Sequence, residues 1–285
     1  MFKKLWNFVR HILGKLIPEY TVTPLVCTLL FQVVVYSGTK LFMGNATYHN
    51  FESALDLATP FLPWTIIIYT GAFVFWYVSY VFIMRSGKEN AFRFLCAHTI
   101  ALVVIWLCFI FLPTTNSRPT VEGNSLWDWG MRLLYASDDP NNLFPSLHCE
   151  MSWICSRGLD KSKAPKWYKL FAYIFTFMIF ISTLTTKQHI IIDVLAGWAL
   201  AEITFDCAKS KRSCSPFTDC MTGKTPTYNK PGLPEQPWFF CGIISLPLSG
   251  CRCCLPESRW HPHRSWHTRH RCRKPSTCHR CRSRQ

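Results

Sequence analysis

The chain has 285 residues, a formal net charge of +15 and 49% hydrophobic residues, and this charge excludes an acidic protein. Its mean hydropathy of +0.10 conceals two unlike parts. Residues 1 to about 206 contain long apolar runs, whereas residues 211–285 contain 14 Lys and Arg against three acidic residues. A single soluble globular domain is therefore excluded. The first part has the composition of a membrane domain, and the tail does not.

The first segment, MFKKLWNFVRHILGKL, is basic and amphipathic. Its apolar residues recur at helical spacing between lysines and an arginine, and no cleavable signal peptide is evident. We expect residues 1–20 to form an amphipathic helix that lies on the membrane surface.

Six apolar stretches follow, and each predicts a membrane-spanning helix. They lie at residues 21–42, 61–84, 92–112, 146–159, 167–186 and 190–207. The fourth is short and contains Glu150, while the sixth contains Asp193 and Glu202 and must face protein or water on one side. The predicted fold is all-α, with residues 21–207 forming a bundle of six transmembrane helices.

Basic residues concentrate on one side of these predicted spans. The segments that would share a side with the N-terminus contain 15 Lys and Arg. The alternate segments contain four, namely Lys40, Arg118, Arg132 and Lys187. The positive-inside rule then predicts that both termini are cytoplasmic and that the alternate segments face outward.

Three polar stretches fall on the predicted outward side. They are FLPTTNSRPT at 111–120, DDPNNLFPSLHC at 138–149 and TTKQHIIIDV at 185–194. Charged groups at the ends of membrane spans are costly unless they are paired or functional. Their convergence at one membrane face indicates a single functional site.

The residue types in these stretches favour phosphoryl transfer. His189 and Asp193 are four apart and would share a helical face, so the carboxylate can orient the ring for attack. His148 lies near the start of a predicted helix, where free N–H groups favour anions. Arg118 offers a planar fork of donors for phosphate, and Lys187 offers a point charge. One histidine would attack phosphorus and the other would protonate the leaving oxygen.

The motifs SRP at 117–119, FPSLH at 144–148 and TKQHIIID at 186–193 resemble those of the type-2 phosphatidic acid phosphatase superfamily. PSLH and KQHxxxD are most similar to the branch that includes inositol phosphorylceramide synthases. The resemblance covers roughly residues 60–207, with the motifs in the order of the family.

The resemblance implies a role for each candidate residue. His189 would be the nucleophile, Asp193 its orienting partner and His148 the general acid. Arg118, Lys187 and Ser146 would bind phosphate, although Ser146 could equally be a simple helix cap. The family fold is a six-helix membrane bundle, and no metal or cofactor is implied.

The implied function is that of an integral membrane phosphatase. It would remove phosphate from a lipid phosphate or a prenyl diphosphate at the extracytoplasmic face of the plasma membrane. One alternative is a phosphotransferase that moves a phospho-headgroup to a lipid alcohol, and another is a non-catalytic relative. The expected partner is the lipid substrate, no nucleic acid is expected, and the sequence does not indicate an oligomeric state.

Three positions depart from the usual family motifs. Phe111 and Thr183 stand where the family has a basic residue, and Leu147 stands where it has glycine. Lys187 could substitute for one missing cation. These changes fit the synthase-like branch and leave both hydrolysis and transfer open.

Residues 208–285 are rich in Cys, His and Arg. Cys278 and Cys281 form one C-x-x-C pair, but no second pair completes a standard zinc site. A surface for nucleic acid or anionic lipid is open from charge alone. The favoured interpretations are a disordered basic tail or a shifted reading frame after about residue 206.

Overall fold

The computed structural model describes residues 2–43 and 46–209. Apart from residues 208 and 209, the predicted basic tail lies outside the described residues. The described part is mostly helical. Its helices are α1 (Phe2–Leu16), α2 (Glu19–Val33), α3 (Thr39–Phe42), α4 (Ala54–Ala58), α5 (Ile66–Met84), α6 (Lys88–Phe111), α7 (Leu126–Ser137), α8 (Leu147–Leu159), α9 (Lys166–Thr185) and α10 (Ile191–Cys207).

Four helical stretches among the described residues are long and apolar enough to cross a membrane. They are Glu19–Leu41, Pro63–Met84, Lys88–Phe111 and Lys166–Thr185, which correspond to the first, second, third and fifth predicted spans. The first runs through α2, a π-helical turn at Val34–Gly38, and α3.

The fourth and sixth predicted spans correspond to α8 and α10. These helices have 13 and 17 residues. At a rise of 1.5 Å per residue they extend about 20 Å and about 25 Å, less than the roughly 30 Å of a hydrocarbon core. Six spans with both termini in the cytoplasm therefore stay a prediction.

Large apolar side chains lie exposed along the outside of the long helices. On α9 they include Ile174, Phe177 and Ile181, and on α5 they include Ile67 and Val74. A soluble monomer rarely exposes an apolar surface of this extent, whereas a bilayer covers it with lipid. The outward apolar side chains thus agree with the hydropathy of these helices.

Helix α8 occupies the centre of the bundle and packs against α5, α6, α9 and α10. Gly197 of α10 lies against the first turn of α8, where an added Cβ would collide with the carbonyl oxygen of Ser146. The backbone N–H of Ser146 in turn donates to the carbonyl oxygen of Asp193 at 3.0 Å. The first turns of α8 and α10 are therefore held together, which matters for the candidate site.

A polar pair is buried within the bundle, between α6 and the first turn of α8. His98 of α6 places Nδ1 3.1 Å from Oε1 of Glu150 on α8, and both side chains are fully buried. The other ring nitrogen, Nε2, lies 3.3 Å from Oε1 of Gln32 on α2. This His98–Glu150 pair links three helices, because buried polar groups require partners.

Residues 46–65, which precede α5, fold back over the α9–α10 connection. Their two-residue strand β1 (His49–Asn50) pairs in parallel with β2 (Thr114–Thr115), which follows α6. The short helix α4 begins at a capping box formed by Ser53 and Asp56. Asp56 Oδ1 also accepts from the N–H of Ile191 at 2.7 Å, which ties α4 to the first turn of α10.

Candidate active site

The structure brings the three polar stretches together at one end of the bundle. The first stretch begins at the last residue of α6, and the second leads into the first turn of α8. The third contains the connection between α9 and α10. Arg118 in the first stretch donates from Nη2 to Oε1 of Gln188 in the third at 2.8 Å. Because Ser146 in the second bonds the backbone of Asp193, all three stretches are joined by direct hydrogen bonds.

His189 and Asp193 form a pair across the start of α10. His189 Nδ1 lies 3.4 Å from Asp193 Oδ2, with the two side chains 10% and 1% exposed. We expected the two residues to share a helical face, but His189 precedes α10 by two residues. The carboxylate of Asp193 lies in the first turn of α10 and extends back toward the ring of His189. It also accepts from the N–H of Ile190 at 3.1 Å.

The pairing determines which ring nitrogen of His189 can react. Because Nδ1 faces a carboxylate oxygen, Nδ1 is the nitrogen that carries the proton in the neutral ring. The lone pair then lies on Nε2, on the opposite side of the ring. The pair thus fixes the orientation of the imidazole, as His–carboxylate pairs do in catalytic triads.

His148 lies in the first turn of α8 and is surrounded by aromatic side chains of α5. Its ring stacks on Tyr69 with centroids 4.2 Å apart, and the rings of Trp76 and Phe73 meet it edge-on at 4.9 and 5.6 Å. His148 Nε2 is buried and has no hydrogen-bond partner among the described residues. His148 lies close enough to His189 for their charges to interact. The second histidine is thus oriented by packing and has an unused nitrogen.

Arg118 is bonded to Gln188, the residue before His189, and has two further contacts. Its Nη1 donates to the carbonyl oxygen of Asp138, its Nη2 donates to Gln188, and its guanidinium lies 4.7 Å from the ring centroid of Tyr135. Nε is buried and has no partner among the described residues. The planar group is therefore fixed in orientation, and Nε–H is among the donors left for a ligand.

Asp138 was not expected at the site, and it bears a carboxylate near Arg118. Its Oδ1 accepts from Lys40 Nζ at 2.5 Å and from the hydroxyl of Tyr36 at 2.6 Å. Burial by itself would raise the pKa of Asp138, but the hydrogen bonds from Lys40 and Tyr36 outweigh it and hold the pKa below its ordinary value. Asp138 is therefore ionised at neutral pH.

Lys187, one of the expected phosphate ligands, is bonded elsewhere. Its backbone adopts a left-handed conformation with φ of 53°. Its Nζ donates to the carbonyl oxygens of Asp56 and Thr59 at 2.8 and 2.6 Å, at the last turn of α4. Asn116 Nδ2 holds the Lys187 carbonyl at 2.9 Å. Lys187 therefore fastens α4 to the α9–α10 connection, as expected for a cation near a helix C-terminus.

Ser146, the remaining expected phosphate ligand, is the N-cap of α8. Its Oγ accepts from the N–H of Cys149 at 3.3 Å, and the residue is fully buried. These contacts are those of the helix cap that was the alternative interpretation. Phosphate binding by Ser146 remains a prediction.

A small cleft opens beside His189 under the folded-back segment. Its lining residues are Glu52, Asp56, Thr59, Asn116, Leu184, Lys187, His189 and Ile190. The acidic wall was not predicted, since Glu52 and Asp56 lie more than a hundred residues from His189 in sequence. Within residues 2–43 and 46–209, no group of three or more His, Cys, Asp or Glu side chains is placed to hold a metal ion.

Burial raises the pKa of Glu52, but hydrogen bonds from Asn50 and Ser117 more than compensate and lower it overall. Burial would also raise the pKa of Asp56, but hydrogen bonds from Ser53 and Ile191 lower that pKa below its ordinary value. Both carboxylates are therefore ionised at neutral pH, and the cleft wall is negatively charged.

Comparison with known proteins gives one match. A family model described as the PAP2 superfamily matches residues 46–206, more than half of the chain. No curated protein and no solved structure matches the chain. The family match shows that the chain belongs to the PAP2 superfamily, the type-2 phosphatidic acid phosphatases and their relatives, whose members are generally phosphatases or phosphotransferases.

Proposed function

We propose that this member of the PAP2 superfamily is an integral membrane phosphatase that uses a phosphohistidine intermediate. Its substrate is a lipid phosphate monoester or a prenyl diphosphate. The observation that supports the proposal most strongly is the His189–Asp193 pair, 3.4 Å apart, beside a second histidine and a fixed guanidinium. These groups lie at one end of a bundle whose long helices are apolar enough to cross a membrane.

In the first step, His189 Nε2 attacks phosphorus and a P–N bond forms as the P–O bond to the lipid breaks. Asp193 stabilises the positive charge that develops on the ring through Nδ1–H. His148 gives a proton to the departing alkoxide, so the lipid leaves as a neutral alcohol. Arg118 stabilises the negative charge on the equatorial phosphoryl oxygens.

In the second step, water replaces the alcohol at phosphorus. His148, now neutral, accepts a proton from the attacking water, the P–N bond breaks, and inorganic phosphate is released with His189 restored. The aromatic rings of Tyr69, Phe73 and Trp76 around His148 exclude bulk water, so that the proton passes only between the histidine and the reacting oxygen.

The position of the site indicates a lipid substrate that enters from the membrane. The distribution of basic residues supports an extracytoplasmic site in the plasma membrane, with 15 Lys and Arg on the opposite side of the predicted spans. A lipid phosphate would then keep its acyl or prenyl chain among the helices and place its headgroup at their ends.

The second candidate is a phosphotransferase similar to inositol phosphorylceramide synthases. The sequences PSLH at 145–148 and KQHIIID at 187–193 favour this branch. The first half-reaction is the same, and a lipid alcohol then takes the place of water. A third candidate, a non-catalytic relative, is disfavoured by the presence of His148, His189 and Asp193 together.

The test is phosphate release by the purified full-length chain in detergent with a chelator present. Phosphatidic acid and a prenyl diphosphate are supplied to wild type, His189→Ala and the control His11→Ala, whose side chain is exposed on α1. We expect release by wild type and the control and none by His189→Ala. Equal release by all three contradicts the role of His189.

The same samples distinguish hydrolysis from transfer. If wild type releases no phosphate, a labelled ceramide and phosphatidylinositol are added, and product lipid is followed. Formation of a labelled phospholipid that requires His189 would replace the phosphatase by the transferase. Failure of both reactions contradicts catalysis.

A further inference from the structure

The proposed reaction requires more positive charge than Arg118 supplies. A transferring phosphoryl group spreads its charge over three equatorial oxygens, and enzymes meet it with several fixed cations or donors. In the structure the ammonium of Lys187 donates to two carbonyl oxygens, one of α4 and one of its C-cap, and phosphate binding by Lys187 remains a prediction. The following inference rests on the proposed function and concerns the source of the second cation.

Lys40 lies next to Arg118 although 78 residues separate them in sequence. Lys40 Nζ is 2.5 Å from Oδ1 of Asp138, and Arg118 Nη1 donates to the carbonyl oxygen of the same residue. One aspartate therefore holds both cations. Arg118 bonds the neutral backbone carbonyl and Lys40 bonds the carboxylate, so the two cations outweigh the single negative charge of Asp138. This excess of positive charge attracts a further anion.

The Lys40–Asp138 pair also lies within electrostatic reach of the proposed general acid. The charge of Asp138 acts on His148 and on Tyr69, the ring that stacks on His148. The side chains of Lys40 and Asp138 are 21% and 18% exposed, so they are accessible to a ligand yet shielded from bulk solvent. Partial shielding strengthens a charge contact relative to one at the open surface.

We propose that Lys40 is the second phosphate-binding cation of the site. Asp138 holds the Lys40 ammonium in place while the site is empty. When substrate enters, the ammonium contacts both Asp138 and the phosphate, which carries two negative charges. Tyr36, whose hydroxyl donates to the same carboxylate at 2.6 Å, fixes the position of Asp138. Lys40 lies outside the residues matched by the family model, so this cation comes from the N-terminal part of the chain.

The competing explanation is that Lys40 only neutralises Asp138. The two explanations differ in a double variant. If Lys40 serves Asp138 alone, Lys40→Met leaves an uncompensated carboxylate near the site, and adding Asp138→Asn removes that carboxylate and restores function. If Lys40 contacts phosphate, the double variant stays as impaired as Lys40→Met.

The experiment compares wild type, Lys40→Met, Lys40→Arg, Asp138→Asn and the double variant Lys40→Met/Asp138→Asn. Phosphate release from phosphatidic acid gives kcat and KM. We expect Lys40→Met and the double variant to lose about 10- to 100-fold in kcat/KM, as for loss of one charged contact to the transition state. Lys40→Arg retains most activity because the charge remains.

The control is Arg132→Met, which removes a cation on the same predicted side of the membrane. Arg132 is exposed and donates to the carbonyl oxygens of Val121 and Gly123. We expect its kcat/KM to remain unchanged. Gel filtration and thermal unfolding in detergent confirm that each variant is folded, and the double variant covers the case in which Lys40→Met alone is unstable.

Binding of orthovanadate, a phosphate analogue, separates this proposal from the proposed function. Affinity is measured for each variant without lipid substrate and without added metal. Weaker binding to Lys40→Met and to the double variant supports the cation role even if wild type turns over no lipid tested. The proposal for Lys40 is overturned if the double variant keeps wild-type vanadate affinity or wild-type kcat/KM. It is also overturned if the wild type does not bind vanadate.

Discussion

Two His–carboxylate pairs lie in this bundle, and they differ in their surroundings rather than in their chemistry. His189 Nδ1 is 3.4 Å from Asp193, and His98 Nδ1 is 3.1 Å from Glu150. The His189 side chain is 10% exposed and lines a cleft, whereas that of His98 is 1% exposed. The remaining nitrogen of His98 faces Gln32, so the ring has no free nitrogen for a ligand.

The comparison teaches that distance alone does not identify a catalytic pair. The shorter contact belongs to the pair that substrate cannot reach. What distinguishes the His189–Asp193 pair is a histidine that lines a cleft, with Arg118 bonded to the neighbouring Gln188. The His98–Glu150 pair instead joins α6 to α8 inside the bundle, where a polar pair restricts how helices can pack.

The largest expected difference between the pairs is in turnover when each carboxylate is replaced by its amide. Asp193→Asn can no longer stabilise the charged ring of His189, and we expect kcat to fall by roughly 10²- to 10⁴-fold. Glu150→Gln touches no reacting atom, and the kcat of its folded fraction should stay near wild type. Phosphate release per mole of folded protein measures both. A larger loss of kcat in Glu150→Gln would reverse the assignment of the pairs.

Stability should show the opposite order. His98→Leu leaves Glu150 as an unpaired buried carboxylate, and breaking such a pair typically costs about 3–5 kcal/mol. The double variant His98→Leu/Glu150→Leu removes both polar side chains and should be more stable than either single variant. Unfolding in detergent measures the free energies. If the double variant is the least stable of the three, the pair contributes more than mutual neutralisation.

The smallest expected effect is the dependence of stability on pH. The pKa of Asp138 is lowered in the folded chain, because hydrogen bonds from Lys40 and Tyr36 outweigh burial. A group with a lowered folded pKa stabilises the fold above its unfolded pKa, near 4, and this contribution is lost as pH falls through the folded value. We therefore expect no contribution to the pH dependence from Asp138 between about pH 5.5 and 7.5, and a decline below about pH 4.

Asp138→Asn supplies the comparison for this pH effect. Thermal unfolding in detergent of wild type and of the variant is followed from neutral pH down to about pH 3. The decline on acidification should be smaller in the variant, since one titrating group is gone. Identical acid curves would show that Asp138 does not contribute.

The long apolar helices were predictable from sequence because hydropathy over about 20 residues is a local property. The first, second, third and fifth predicted spans all lie close to the observed bounds. The approach of Asp193 to His189 also follows from local spacing. Its geometry does not, because the helix begins at Ile191 and the histidine remains in the preceding connection.

The polar partners in the tertiary structure were not predictable. Lys187 has the charge expected of a phosphate ligand, yet its left-handed backbone directs its ammonium to carbonyls of a segment 128 to 131 residues earlier. Lys40 meets Asp138 across 98 residues, and His98 meets Glu150 across 52. No periodicity or spacing encodes such contacts, although opposite charges on the same predicted membrane side, as for Lys40 and Asp138, were a usable signal.

The most direct test of the catalytic assignment is to trap the intermediate. The full-length chain is mixed with phosphatidic acid labelled in its phosphate, quenched in alkali within the first turnovers, and digested for mass spectrometry. We predict a phosphorylated histidine at position 189 in wild type, more of it in His148→Ala, and none in His189→Ala. Phosphate release by wild type with no label on His189, or with the label on another residue, would contradict the assignment.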